Sequence, residues 1–178
     1  MNVLYPAGDF PLEILHSEIV SFLFDQEAAA LEAGTAAKSE EGSLKRAPFG
    51  RLTAAAKLEA MGYRVGWALA ERLAKDLPRF SSELDCLKFI CKEFWASAFG
   101  KQVDNLRTNH QGTYVIQDNR FWVLGSLPVE SREEAGRYLA FPSGLLRGAL
   151  ANLGISAAVA ATLDTLPALK FSLTLQPK

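Results

Sequence analysis

The sequence has few of the residues from which catalytic and metal sites are usually built. It contains only two histidines and two cysteines, and neither histidine has a nucleophile or orienting group at a recognisable spacing. The sequence contains no G-x-S-x-G elbow, no G-x-x-x-x-G-K-[ST] loop and no H-x-x-x-H pair. We therefore expect a protein that is not an enzyme and that binds no metal or cofactor.

Charge and apolar runs exclude two further classes of protein. Nineteen basic residues balance twenty acidic ones, for a formal net charge of −1, so the chain lacks the concentrated basic footprint of a nucleic-acid binder. No apolar run approaches the roughly 18 to 20 residues that span a bilayer. The segment MNVLYPAGDF has no basic leader and does not resemble a signal peptide. We expect a soluble, intracellular protein.

A chain of 178 residues, 49% of them hydrophobic, is sufficient for one core, and we expect a single domain over 1–178. Cys86 and Cys91 lie in a segment of helical pattern. At about 100° per residue their side chains point roughly 140° apart, so they cannot bridge each other. We predict that both are buried structural thiols in a reducing compartment.

The first helix is predicted over residues 9–27, with Asp9 as its N-cap. Its apolar residues cover most of the circumference, and a helix with more than one apolar face must bury more than one face. We therefore predict that this helix contacts another subunit. The small and charged residues that follow, over 28–50, predict a helix end and then a mobile loop at about 30–50.

The second helix is predicted over residues 51–76 from an apolar stripe, and Gly62 and Gly66 lie four residues apart on one face of it. A glycine inside a helix costs about 1 kcal/mol relative to alanine, so this pair indicates that another element packs closely against the helix. The predicted dimer interface combines the first two helices and comprises Leu12, Leu15, Ile19, Phe22, Leu23, Leu58, Gly62, Val65, Gly66 and Leu69.

Two more helices are predicted in the remaining chain. A capping box at Ser82 begins the third. The fourth runs from about 130 to 153, with Pro142 as a kink or restart and Gly154 just after its end. This fourth helix has a second small-residue stripe at four-residue spacing, formed by Ala140, Gly144, Gly148 and Asn152.

Strands are predicted on both sides of the fourth helix. Residues 105–108, residues 113–117 and the segment RFWVLGS form a predicted meander, and ISAAVAATL and ALKFSLTLQ form two more strands. Helices followed by strands, another helix and further strands predict an α+β fold. In this fold about four helices pack on a small, mostly antiparallel sheet.

The segment DNLRTNHQGTYVIQD contains the second histidine, at the tip of the first predicted hairpin. Gly112 is expected to supply a positive φ angle there. The polar residues Arg107, Asn109, His110 and Gln111 are predicted to form either a partner-contact surface or a plain turn, without chemistry.

Long ordered pieces of the sequence resemble one known family. GYRVGWALAERLAKDLPRF and the continuation through NRFWVL, together with LHSEIV, YLAFPSGLLRGALANLGI and ALKFSLTLQ, resemble the small subunits of the transport protein particle (TRAPP), and most of all its subunit 6 branch. The resemblance covers nearly the whole chain except the loop near 28–50. It implies the TRAPP small-subunit fold.

The resemblance also implies an assembly role. Small TRAPP subunits pair through their first two helices, typically as heterodimers, and the residues leave open whether this chain alone forms a homodimer. The full complex tethers vesicles between the ER and the Golgi and promotes nucleotide exchange on a Rab-type GTPase. The implied location is cytoplasmic, peripheral to Golgi and ER membranes, with membrane association only through the complex.

One departure from the family concerns a lipid. A related branch has an acylated cysteine just after the second helix, with the acyl chain in a hydrophobic tunnel. That position falls near Phe80 here, in PRFSSE, and phenylalanine cannot form a thioester. Acylation is therefore not expected. A stand-alone module that binds an apolar ligand, such as an acyl chain, remains the alternative function.

Overall fold

A computed structural model describes residues 10–36, 52–109, 112–125 and 132–176. Helical and extended segments follow one another in the predicted order. The elements are α1 (Phe10–Ala36), α2 (Ala54–Ala74), α3 (Glu83–Phe89), a π-helical turn (Ile90–Phe94), α4 (Trp95–Phe99), β1 (Asn105–Thr108), β2 (Thr113–Asp118), a 3-10 turn (Trp122–Leu124), α5 (Arg132–Ala135), a 3-10 turn (Gly136–Leu139), α6 (Ala140–Asn152), β3 (Ala157–Leu163) and β4 (Leu169–Leu175).

The strands form one antiparallel sheet in the order β1-β2-β4-β3. Ile116 of β2 lies opposite Phe171 of β4, and both are fully buried against the helices. The neighbouring residues Ser172 and Thr174 lie on the other face, which remains partly or fully exposed. A helical layer thus covers one face of the sheet, which confirms the predicted α+β class.

The main core is aromatic and includes the buried carboxylate of Asp118, which pairs with a partly exposed lysine. The ring of Trp95 lies 5.6 Å from that of Phe171 between centroids, in an edge-on arrangement. The indole Nε1 of Trp95 donates a hydrogen bond of 2.9 Å to the carboxylate of Asp118, which is buried at 1% exposure. Lys101 Nζ lies 2.6 Å from the same carboxylate. The ion pair and the indole hydrogen bond satisfy a charge that burial would otherwise destabilise.

The closest helix packing joins α2 to α6 through glycines on both sides. A Cβ atom added at Gly62 or Gly66 would collide with the backbone of α6, and one added at Gly144 or Gly148 would collide with the backbone of α2. The sequence prediction of a closely packed element is therefore confirmed. That element is α6 of the same chain, at the second small-residue stripe.

Other sequence predictions are refined or wrong. Helix α1 continues to Ala36, past the predicted start of the loop at about residue 30, and the rest of the predicted loop, residues 37–50, lies outside the described residues. RFWVLGS was expected to be a strand, but Trp122–Leu124 form a 3-10 turn. The helix after it restarts at Ala140, with Pro142 in its first turn, as the restart hypothesis requires. The two cysteines are buried, and burial raises the pKa of Cys91 to about 12.

Candidate functional site

Helix α1 packs on α2 through a small apolar cluster. Val20 and Leu23 of α1 meet Ala54 and Leu58 of α2, and these four residues are the buried members of the cluster. A carboxylate oxygen of Glu27 also accepts a hydrogen bond of 3.2 Å from the backbone N–H of Ala54, at the first turn of α2. The buried residues of this cluster are distinct from those of the aromatic core, and Tyr138 and Phe141 pack against both.

The outer surface of α1 and α2 exposes large apolar side chains. Ile14, Leu15 and Phe22 of α1 are 53%, 55% and 57% exposed, and Val65 of α2 is 47% exposed. Single exposed apolar residues are common on protein surfaces, but several on adjacent helices are typical of an interaction site.

An apolar groove of about 590 Å³ lies between these two helices and the rest of the domain. Leu15 and Ile19 line it from α1, and Leu58, Val65 and Leu69 line it from α2. Aromatic side chains form much of the opposite wall, where the lining includes Phe99, Trp122 and Phe141. Five residues of the predicted interface therefore share one concave, apolar site.

His16 is one of several groove residues that the sequence prediction of the interface did not include. Its ring lies 5.4 Å from that of Phe141 and 5.9 Å from that of Tyr138, between centroids. Its Nε2 atom is buried and has no hydrogen-bond partner within the part of the chain that the structure describes. Burial lowers the pKa of His16 from its usual 6.5 to about 4, so the ring is neutral at neutral pH. The sequence offered one indication that His16 belongs to this site, its position directly after Leu15 in the predicted interface helix.

The other predicted interface residues differ in their surroundings. Phe22 is exposed and is not among the residues that line the groove, whereas Leu23 is buried in the α1–α2 cluster. Gly62 and Gly66 are buried against α6 and present no surface to another subunit. Leu12 lies in α1, but its side chain is outside the described residues.

Of the four polar hairpin residues, Arg107 and Asn109 lie within the described residues, and neither lines this groove. Arg107 is exposed on β1, and Asn109 Oδ1 accepts a hydrogen bond of 3.0 Å from the backbone N–H of Thr113. Gly112 has the predicted positive φ angle, at 83°. His110 and Gln111 are outside the described residues, so their partner-contact role stays a prediction.

Phe80, near which the family's acylated position was placed, packs on a core aromatic. Its ring centroid lies 5.2 Å from that of Phe89 in α3. A second, more polar surface depression of about 410 Å³ lies beside it, lined by side chains that include Arg79, Lys88 and Lys92. Phe80 thus contributes apolar packing at this position.

Comparison with known proteins gives consistent matches over most of the chain. The family model described as transport protein particle (TRAPP) component matches residues 12–176. Trafficking protein particle complex subunit 6b of Danio rerio is 45% identical over 172 residues, covering 96% of this chain and 98% of that protein. Subunit 6B of Homo sapiens is 46% identical over 165 residues (92% and 94% coverage), and subunit 6A of Bos taurus is 45% identical over 166 (92% and 94%).

A solved structure shares the fold at low sequence identity. Trafficking protein particle complex subunit 3 from Naegleria fowleri, covalently bound to palmitic acid, superposes with a TM-score of 0.63 at 17% identity, covering 95% of this chain and 97% of that one. Within the described residues of this protein, no helix is long and apolar enough to cross a membrane. From the family match and the identities to its relatives, the chain belongs to the TRAPP component family, in its subunit 6 branch.

Proposed function

We propose that this protein is a structural subunit of a TRAPP-like vesicle-tethering complex, which pairs with another small TRAPP subunit through α1 and α2. The relatives are named as subunits of a trafficking complex, which supports a role in assembly. In this proposal the chain is not an enzyme. It supports Rab nucleotide exchange by the whole assembly, in ER-to-Golgi traffic. It acts in the cytoplasm, peripheral to Golgi and ER membranes.

The proposal rests on one observation, the exposed apolar surface of α1 and α2. Leu15, Phe22 and Val65 are about half exposed, and the neighbouring groove is lined mainly by apolar side chains. Obligate interfaces resemble a protein core cut in half, and this surface has that composition. A partner helix that covers it would remove these side chains from water, at roughly 25 cal/mol for each Å² of apolar area buried.

The first prediction concerns the double variant Leu15→Glu with Phe22→Glu. Both side chains are more than half exposed, so the isolated chain should still fold, while two buried charges should abolish pairing. Wild type mixed with a small TRAPP subunit of the acylated type should elute as a one-to-one complex in size exclusion with light scattering. In the mixture of the double variant with the same partner subunit, the two proteins should elute separately.

A matched control keeps this test specific. Leu84→Glu changes the same residue type on α3, where Leu84 is 41% exposed, and it should leave the complex intact. If the double variant still forms the complex at full strength, the interface is not on α1 and α2.

A second candidate function rests on the groove itself. A cavity of about 590 Å³ with mainly apolar walls falls in the size range of small-molecule sites, which favours a stand-alone module that binds an apolar ligand such as an acyl chain. Native mass spectrometry of the purified chain distinguishes the two candidates. An added lipid mass supports the ligand module, whereas an apo mass together with a stable complex supports the structural subunit.

A further inference from the structure

The two edges of the sheet differ in length and protection. Strand β1 at one edge has four residues and includes the exposed Arg107. Strand β3 at the other edge has seven residues, AAVAATL, with no charge, proline or glycine. Natural proteins usually protect an edge by shortening it or by adding charged residues or proline. Strand β3 has none of these protections.

The hydrogen-bond register shows which backbone groups of β3 point away from the sheet. The N–H of Gln176 donates to the carbonyl of Ser156 at 2.8 Å, so this pair is a hydrogen-bonded pair of the antiparallel ladder. Bonded pairs recur at every second residue, which places Ala158 and Ala160 toward β4. The N–H and C=O groups of Val159 and Ala161 therefore point outward, and no strand pairs with them among the described residues.

The side chains define what kind of strand fits this edge. Val159 and Ala161 lie on the helix-covered face, opposite Leu173 and Phe171 of β4. Their partners on β4 are fully buried, but Val159 and Ala161 are only partly buried, so the apolar layer continues to the edge without full cover. Ala160 on the other face is exposed and too small to block an approaching strand. An added strand with apolar residues on the helix side and polar residues on the solvent side matches both faces.

We propose that the β3 edge binds an extended segment of another subunit of the same assembly, which adds a fifth strand to the sheet. This proposal rests on the proposed function, because the edge alone buries too little area for stable binding. Its occupant must therefore be held in the assembly by other contacts. Seven residues span roughly 24 Å at about 3.4 Å each, and a single strand edge buries much less than the roughly 800 Å² per partner of a stable complex. A segment already held nearby by other contacts needs little affinity of its own, whereas a second free copy of this chain lacks that advantage.

Backbone hydrogen exchange tests the proposal on the wild-type chain. The two samples are the isolated protein and the complex purified from cells through an affinity tag on this chain. In the isolated protein the amides of Val159 and Ala161 should exchange rapidly, while those of Ala158 and Ala160 exchange slowly. In the complex the Val159 and Ala161 amides should exchange at least tenfold more slowly.

Two variants separate the edge from the face of the sheet. Ala161→Pro removes an outward N–H, and proline is tolerated at edge positions whose N–H faces solvent. The complex with this variant should lose the edge protection at Val159, while its subunits, which are held by other contacts, are retained. Thr174→Lys adds a charge to the exposed face of β4, leaves the edge hydrogen bonds in place and should preserve the protection. If Ala161→Pro does not fold, the wild-type exchange measurement alone decides.

Each contrary outcome has a distinct meaning. Equal exchange of Val159 and Ala161 in the complex and in the isolated chain, with partner subunits still captured, overturns the edge proposal and leaves the proposed function standing. Protection that appears in the isolated chain and grows with its concentration assigns the edge to a second copy and also overturns it. Failure of the wild-type chain to capture any other subunit removes the proposed function and this inference together.

Discussion

Helix α2 uses two of its faces in opposite ways. Toward α6 it presents Gly62 and Gly66, and backbones from the two helices approach so closely that no side chain fits between them. Toward α1 it contributes Ala54 and Leu58 to a small cluster of four buried residues, and it borders an open apolar groove of about 590 Å³. The face toward α6 is fully packed within the chain. The face toward α1 and the groove is only partly packed, which indicates where a partner would add contacts.

The comparison also separates two uses of small and large apolar residues. Glycines permit a close crossing whose energy comes from many backbone and side-chain contacts at short range. Exposed residues such as Leu15 and Phe22 contribute little to the isolated chain, because they remain largely in water. We therefore expect substitutions in the two regions to change different measurements.

The largest effect is expected at the glycine crossing. Gly66→Leu should lower the free energy of unfolding by about 3 kcal/mol or more, since the new side chain meets the α6 backbone at Leu145 rather than a movable side chain. Leucine is the better helix former, so a purely local effect would have the opposite sign. Chemical denaturation measures the change. Gly136→Ala is the control and should be neutral, because within the described part of the chain no atom beyond its immediate neighbours lies within 4 Å of the added Cβ. A stabilised Gly66→Leu would show that the crossing is not tight in solution.

A smaller effect is expected from the protonation of His16. Its pKa is about 4 in the folded protein, below the usual 6.5 of the unfolded chain, so the unfolded state binds the proton first. Above about pH 6.5 His16 is neutral in both states and does not lower the free energy of unfolding. That free energy falls as the pH drops from about 6.5 toward about 4, by at most roughly 3 kcal/mol. Because His16 lies on α1, we expect the protection factors of the α1 amides, corrected for the intrinsic pH dependence of exchange, to fall over this range.

The contribution of His16 can be isolated by substitution. Other groups titrate over the same pH range, so unfolding free energies should be compared between wild type and His16→Gln at each pH. If His16 is responsible, the unfolding free energy of wild type minus that of His16→Gln should decrease as the pH falls from 6.5 to 4. Parallel curves over this interval would contradict the assignment.

The smallest effect is expected on the exposed side of α1. Ile14→Ser should change the unfolding free energy of the isolated chain by no more than about 0.5 kcal/mol, because Ile14 is 53% exposed. On the buried side of the same helix, Leu23→Ala should cost about 2 kcal/mol, at the low end for a leucine in a small cluster. Thermal and denaturant unfolding of the two variants measure the contrast. Equal losses would mean that α1 packs differently in solution.

Much of the fold follows from residue spacing. The glycine stripes on α2 and α6 both have a spacing of four residues, so a close crossing was predictable from either helix. The element that packs against these glycines was not predictable, because a single sequence does not show which distant segments are in contact. The sequence interpretation placed Gly62 and Gly66 in a subunit interface, whereas they lie against α6.

The errors have identifiable physical causes. The segment around Phe121 has aromatic and β-branched residues typical of strands, but Phe121 and Val123 are buried by a tight turn against the aromatic core. The alanine-rich end of α1 lacks apolar periodicity, and high helix propensity extends the helix without it. For the candidate site, exposure decides the role of each residue. Exposure depends on the neighbouring elements, so Leu15 and Leu23 could not be told apart from spacing alone.

The crossing of α2 and α6 has a consequence for synthesis. Gly66 and Leu145 are separated by some 80 positions in the chain, which a ribosome needs roughly 4 to 16 s to add at its usual rate. During that interval α2 has emerged while α6 does not yet exist, and both of its apolar faces are open. A partner that arrived then would find the face meant for α6 accessible and the groove incomplete, because Phe141, Pro142 and Leu145 of α6 form part of its lining. Correct pairing therefore favours capture after release from the ribosome, when α6 has already occupied its side.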